Sequence, residues 1–293
     1  MDALVGVITQ SLILGVMVLG VYISYKILDF PDMSVDGSFS LGGAIIAVSL
    51  KSGLSPITGC LLAIAGGLVA GLLTGILNVK LRISNLLSGI LVMGILYSVN
   101  LRIMGKANIA LFNTNHIFKS GSSSIIISLA IIAVCKILLD LFLKTGLGYT
   151  LKAVGDNSQM VQSLGIEVGK IKILGLMISN GLVSFSGCIM AQYQGFSDVS
   201  MGMGTLVLGI ACVIIGESFI SKIFKTKETS IIILGTILYQ LVIYIALNAG
   251  LTSTDLKLIT SFIIILFLSL GDLKKPVFKQ KISILRRGAY VKN

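Results

Sequence analysis

The length of its apolar runs constrains this chain more than any other feature. Hydrocarbon roughly 30 Å thick takes about 20 helical residues to cross. Apolar runs, most of them on that scale, lie at about 4–25, 38–50, 56–78, 85–104, 123–143, 171–192, 203–220, 230–248 and 256–271. Only 12% of the residues are charged and the mean hydropathy is +1.00, against about 25% charged residues in soluble domains. No aqueous core could take up so many uninterrupted stretches. Within lipid the backbone must satisfy its own hydrogen bonds, which selects helices here. The runs predict an all-α polytopic membrane protein, a bundle of about nine transmembrane helices, with eight to ten compatible with the boundaries. The membrane domain then covers residues 1–271 and a basic tail covers 272–293.

Charge fixes the expected orientation. The net charge of +11 would suit nucleic acid, but Lys274, Lys275, Lys279, Lys281, Arg286, Arg287 and Lys292 crowd the tail. Lys26, Lys80, Arg82, Lys144, Lys152, Lys170, Lys172, Lys222, Lys225 and Lys227 fall on the same side by alternation of spans. The other side receives only Lys51, Arg102, Lys106, Lys119 and Lys257. Such bias marks the cytoplasmic side, so the C-terminus is expected inside a cell membrane and the N-terminus outside. A lipid surface, not nucleic acid, is the partner this pattern fits. The first run lacks a basic stretch before it and a small-residue cleavage site after it, and reads as a retained span.

The run at 38–50 is too short to span at 1.5 Å per residue. Before it stands Phe30-Pro31-Asp32-Met33-Ser34-Val35-Asp36-Gly37-Ser38. This reads either as one interrupted transmembrane helix, whose freed backbone groups line a cavity, or as a loop before a tilted helix. Gly67, Gly71 and Gly75 repeat every four residues, a spacing that lets helices approach closely in lipid.

The connection 144–170 exceeds the two to eight residues usual between bundle helices. Asp156 or Asn157 can cap a short helix there, and Gly165 is placed to end it. Met160, Val161 and Leu164 then form an apolar face on a short cytoplasmic helix. Docking into a partner's groove and lying on the membrane surface both fit that pattern. Cys60, Cys135, Cys188 and Cys212 sit inside apolar runs without CxxC or Cys/His spacing, so neither a metal nor a disulfide framework is expected. His116 is the sole histidine, which leaves little for His-based catalysis. There is no HExxH, GxSxG or G-x-x-x-x-G-K-[ST] motif. No cofactor and no enzymatic activity are expected of this chain.

The run Gly148-x3-Lys152-Ala153-Val154-Gly155-Asp156-Asn157, followed by Leu164-Gly165-Ile166, Lys170 and the small-residue-rich stretch Ser179 to Gly187, resembles one permease family. It is the family of branched-chain amino acid, ribose and related ATP-binding-cassette (ABC) import permeases. Asp32-Met33-Ser34-Val35-x-Gly37-Ser38 with Leu41-Gly42-Gly43 is similar to a segment of its sugar-transporting members. The resemblance runs from about residue 29 to 270. It implies a permease that pairs with a second copy, homo- or heterodimeric, takes solute from an extracellular binding protein and is driven by cytoplasmic ATPase subunits. The coupling segment would comprise Gly155, Asp156, Asn157, Met160, Val161, Leu164 and Gly165. Ile215-Gly216-Glu217-Ser218 and the lysine-rich stretch Ser221 to Glu228 depart from the family pattern and point toward an aromatic amino acid branch. An amino acid is thus favoured as cargo over a sugar or nucleoside.

Polar groups inside a membrane are costly and often functional. Asp32, Ser34, Asp36, Asn100, Asn180 and Gln192 are the candidates for the solute path, although helix capping is the first reading of the two aspartates and bonding between neighbouring helices accounts equally for Asn100, Asn180 and Gln192. Lys136 and Asp140 are spaced to pair with each other, and Glu217 lies near a span's end. A secondary transporter or channel working without ATP is the alternative, but it would need buried carboxylates for ion coupling, and few are available.

Overall fold

A computed structural model describes residues 2–112, 114–119, 123–221 and 226–250, with Leu258, Ser261, Phe262 and Ile265 beyond them. The expected span at 256–271 and the tail 272–293 lie outside the described residues, those four single positions excepted. Ten α-helices account for most of the rest: α1 Asp2–Val21, α2 Ser34–Lys51, α3 Pro56–Val79, α4 Asn85–Met104 and α5 Ser124–Leu143. There follow α6 Gly146–Asp156, α7 Ser158–Ser163, α8 Val168–Gln194, α9 Thr205–Ile215 and α10 Glu228–Asn248. α1 and α9 each run on into a π turn, Tyr22–Ile27 and Gly216–Ile220. Two three-residue strands, β1 Asn108–Ala110 and β2 Phe196–Asp198, pair antiparallel.

Local chemistry explains many boundaries. Ser55 caps α3 by accepting from the Thr58 amide, with Pro56 at the first helical position, where its missing N–H costs nothing. α4 and α8 end on Gly105 and Gly195, both left-handed at φ 68° and 75°. Among the described residues six helices are long and apolar enough to cross a membrane. α2 and α9 with its π turn add two shorter members, so the nine spans expected are not reached within the part described.

α8 is the axis of the bundle, with α1, α2 and α3 laid against it. Close approach is made possible by missing side chains. A Cβ on Gly71 would stand 2.2 Å from the Leu176 carbonyl oxygen, and one on Gly67 2.4 Å from that of Asn180. The four-residue glycine spacing is therefore consumed by an α3–α8 seam inside one chain. α2 is almost entirely enclosed by α3, α4 and α8. α3, α4 and α5 each leave an apolar face open, through residues such as Leu61, Leu91 and Leu138, as lipid contact requires.

Two expectations need correction. The helix expected at 38–50 begins at Ser34, because its polar first turn finds partners for every side chain that could oppose burial. The break falls instead on residues 28–33, where Asp29 turns the chain in the left-handed region (φ 52°), a conformation Asp tolerates better than most residues. The apolar run expected at about 203–220 is helical over Thr205–Ile220, after a left-handed Gly204 (φ 91°). Its lead-in folds back among the helices: a Cβ on Gly202 would sit 2.0 Å from the Asp36 carbonyl oxygen. Finally, the connection 144–170 holds two helices, α6 and α7, where one was expected.

Candidate functional site

The break between α1 and α2 brings together three of the expected path residues. Asp32 is fully buried. Its Oδ1 accepts from the Ser34 amide at 2.9 Å and the Ser34 hydroxyl at 2.6 Å, and its Oδ2 from Asn180 Nδ2 at 2.8 Å. Asn180 Oδ1 in turn accepts from Ser38 at 2.6 Å and lies 3.2 Å from the Ser34 hydroxyl, whose one proton is directed to Asp32. This closed network joins the start of α2 to the middle of α8. A bare carboxylate in such a place would cost several kcal/mol, so the three donors are a condition of the fold. α4 reaches the same point through Gly89, where a Cβ would stand 3.0 Å from Asp32 Oδ1.

Asp36, one turn along α2, faces a different element. Its Oδ2 accepts from the Gly204 amide at 2.8 Å, and its Oδ1 accepts from the Leu206 amide at 2.8 Å and the Thr205 hydroxyl at 3.0 Å. It therefore caps α9 from across the bundle, supplying the acceptors and negative charge that a helix N-terminus favours. Asn100 stands apart: its Nδ2 donates to the Gly37 carbonyl at 3.3 Å, while its buried Oδ1 has no partner among the described residues. Gln192 is also separate. Its Oε1 accepts from the Ile117 amide at 3.2 Å, and its Nε2 lies 3.6 Å from the Cys60 sulfur.

The coupling candidates form a second group at the opposite end from β1 and β2. Asn157 caps α7, its Oδ1 accepting from the Met160 amide at 3.0 Å. Gly165 follows the helix at φ 80°. The apolar face expected of Met160, Val161 and Leu164 is split. Val161 is buried, whereas Met160 is 54% and Leu164 68% exposed. Asp156 is exposed at the end of α6. Gly155 lies against the end of the first π turn, where a Cβ would stand 1.7 Å from the Ile27 carbonyl oxygen. Leu151 and Val154 are buried beside it, and Leu151 and Leu28 both pack onto Gly175 of α8.

Sequence reasoning missed the link between the two π turns. Lys26 Nζ of the first is 2.8 Å from Glu217 Oε2 of the second, and the Tyr22 hydroxyl donates to Glu228 at the start of α10. The expected Lys136–Asp140 pair forms at 3.1 Å, and Asp140 also accepts from Lys227 at 3.1 Å and Thr229 at 2.6 Å. α5, α9, α10 and the first π turn are thus laced together beside α6. The partners lie 191 and 206 positions apart in sequence, beyond the reach of any local spacing rule.

Comparison with known proteins adds an independent constraint. Residues 3–269 match the family described as branched-chain amino acid transport system, permease component. A Clostridioides difficile protein named tyrosine transport system permease is 62% identical over 273 residues, covering 93% of this chain and 92% of its own. An uncharacterised Rickettsia prowazekii protein is 35% identical over 285 residues, 94% and 99% of the respective chains. An autoinducer 2 import system permease of Yersinia pseudotuberculosis is 27% identical over 190 residues, 63% of this chain and 54% of that one.

Proposed function

Because the chain belongs to the permease-component family of branched-chain amino acid transport systems, and is the membrane-spanning subunit of an ABC importer, we propose that its cargo is tyrosine or a closely related aromatic amino acid. The high identity to a tyrosine permease, sustained over nearly the full length of both chains, supports that choice. Cytoplasmic ATPase subunits, an extracellular binding protein and a second permease copy complete the machine, with α6, α7 and the C-terminus facing the cytoplasm.

The observation that carries the mechanism is Gly155 seated on the Ile27 carbonyl. An ATPase gripping Met160 and Leu164 moves α7 and, through Asn157, α6. α6 has no slack against residues 27 and 28, which lead directly into the break and the Asp32–Asn180 network. α2 starts at that network, and its Asp36 holds the start of α9. Closure of the ATPase therefore reaches both interrupted helices by contact. A polar path opens where the Asp32, Ser34 and Asn180 bonds exchange partners, and the unmatched Asn100 oxygen offers an acceptor to the solute's ammonium group. Asp36 and Gln192 hold the helices that bound this path.

The test is ATP-dependent uptake of labelled tyrosine by proteoliposomes holding the permease, its ATPase and the loaded binding protein. Uptake competed by phenylalanine but not by ribose is expected, and it should fall at least tenfold in Leu164→Asp with ATP hydrolysis retained. Uptake competed by ribose alone would overturn the choice of cargo. Unchanged uptake in Leu164→Asp would remove α7 from the coupling route.

A further inference from the structure

We propose that Cys60 and Cys188 form a site of reversible oxidative cross-linking that ties α3 to α8 at the end of the bundle away from α6 and α7. The two sulfurs lie 3.5 Å apart although the residues are 128 positions apart in sequence. A disulfide needs about 2.05 Å, so a sulfur movement of roughly 1.5 Å closes the bond. The two helices already touch along the Gly67 and Gly71 seam, which places two side chains as short as cysteine within reach of each other.

Gln192 Nε2 lies 3.6 Å from the Cys60 sulfur and 3.7 Å from the Cys188 sulfur, and amide N–H groups are the donors that a thiolate, the reactive form, requires. Cys60 is 7% exposed and Cys188 fully enclosed, so Cys60 meets an oxidant first. With a diazene oxidant such as diamide, the Cys60 thiolate adds to one nitrogen and the other takes up a proton. The Cys188 thiolate then attacks the Cys60 sulfur, and the N–S electron pair leaves with the second proton as a hydrazine. Two thiols lose two protons and two electrons, and the diazene gains them. Gln192 also accepts from the Ile117 amide at 3.2 Å, so it connects the cysteine pair to the segment Ile117–Lys119.

The chain has four cysteines, and Cys135 and Cys212, on α5 and α9, serve as internal references. The full-length protein in detergent is treated with diamide, denatured, alkylated and weighed intact, then digested for peptide mapping. Two of the four thiols should be lost, dithiothreitol should restore them, and one peptide pair should join Cys60 to Cys188. Cys60→Ser and Cys188→Ser should each retain three alkylated thiols. Four alkylated thiols in the oxidised wild type would overturn the proposal, as would a bridge that persists in Cys60→Ser.

Discussion

Gly155 of α6 and Ile27 of the first π turn are in backbone contact, leaving no room for even a methyl group between them, since a Cβ on the glycine would lie 1.7 Å from the isoleucine oxygen. The contact joins α6, which leads into the exposed Met160 and Leu164 of α7, to the chain break that begins the buried Asp32–Asn180 network. Gly155→Ala should displace α6 and lower coupled uptake at least tenfold, while thermal stability falls by about 1–3 kcal/mol, the usual cost of overpacking. Proteoliposome uptake together with a detergent melting curve measures both. An unaltered uptake rate would show that α6 moves independently of the break.

Asp32 and Asn180 should be energetically coupled. Asp32→Ala leaves the Ser34 amide and one Asn180 N–H unmatched in a buried site, a loss of about 1–3 kcal/mol for each such group. Adding Asn180→Ala should cost less than the sum of the single changes, with an interaction energy of about 0.5–3 kcal/mol. A double-mutant cycle on unfolding free energies gives the value. Strict additivity would contradict the network.

Asp36→Ala removes the cap of a helix on another part of the chain. A lost cap costs about 0.5–2 kcal/mol, and its first effect should be local: faster hydrogen exchange at the Gly204 and Leu206 amides, which donate to Asp36. Exchange confined to α2 itself would argue against the cross-bundle role.

Lys26 and Glu217 offer a contrast, since their side chains are 51% and 39% exposed. Exposed ion pairs contribute about 0–1 kcal/mol, so Glu217→Gln should barely shift the melting temperature. Because the pair joins two π turns, uptake should nonetheless change several-fold, and the swap Lys26→Glu with Glu217→Lys should recover part of it. A swap that performs no better than Glu217→Gln would dismiss the pair as incidental.

Asp198, in β2, gives a prediction about acid. The Ser200 hydroxyl holds its carboxyl below the ordinary range, aided by the Ser200 amide and Asn108 against a smaller opposing effect of burial. The folded form therefore favours the charged group. Its contribution is complete above the ordinary carboxylate range and disappears as pH falls through the depressed value. Exchange protection of β1 and β2 should drop on acidification below that range, whereas Asp198→Asn should show weaker, pH-independent protection.

How much of this could be read in advance varies by element. The spans of α1, α3, α4, α5, α8 and α10 were legible because each is a long apolar run, and lipid leaves such a run few alternatives to a helix. The cap of α7 was legible to within one residue, as Asp156 or Asn157, because a cap and its target amide lie only three residues apart and such local hydrogen-bond chemistry repeats from protein to protein; the structure selects Asn157. The start of α2 was not, since Ser34, Asp36 and Ser38 look like a loop until their distant partners are known. The seat of Gly202 beneath α2 was hidden for a similar reason: Met201-Gly202-Met203-Gly204 blends into the apolar run that follows.

By itself, then, the order of residues determined which stretches form long apolar helices and narrowed the cap of the short helix α7 to two neighbouring residues. Those outcomes rest on the solvent preference of each segment and on bonds spanning a few residues. Only the tertiary structure decided that Asp32 answers to Asn180, that Asp36 caps a helix 168 residues onward, and that Cys60 meets Cys188. Such pairings depend on how closely helix backbones approach, and that is settled by glycines on separate helices meeting one another's carbonyls, a relation no single segment contains.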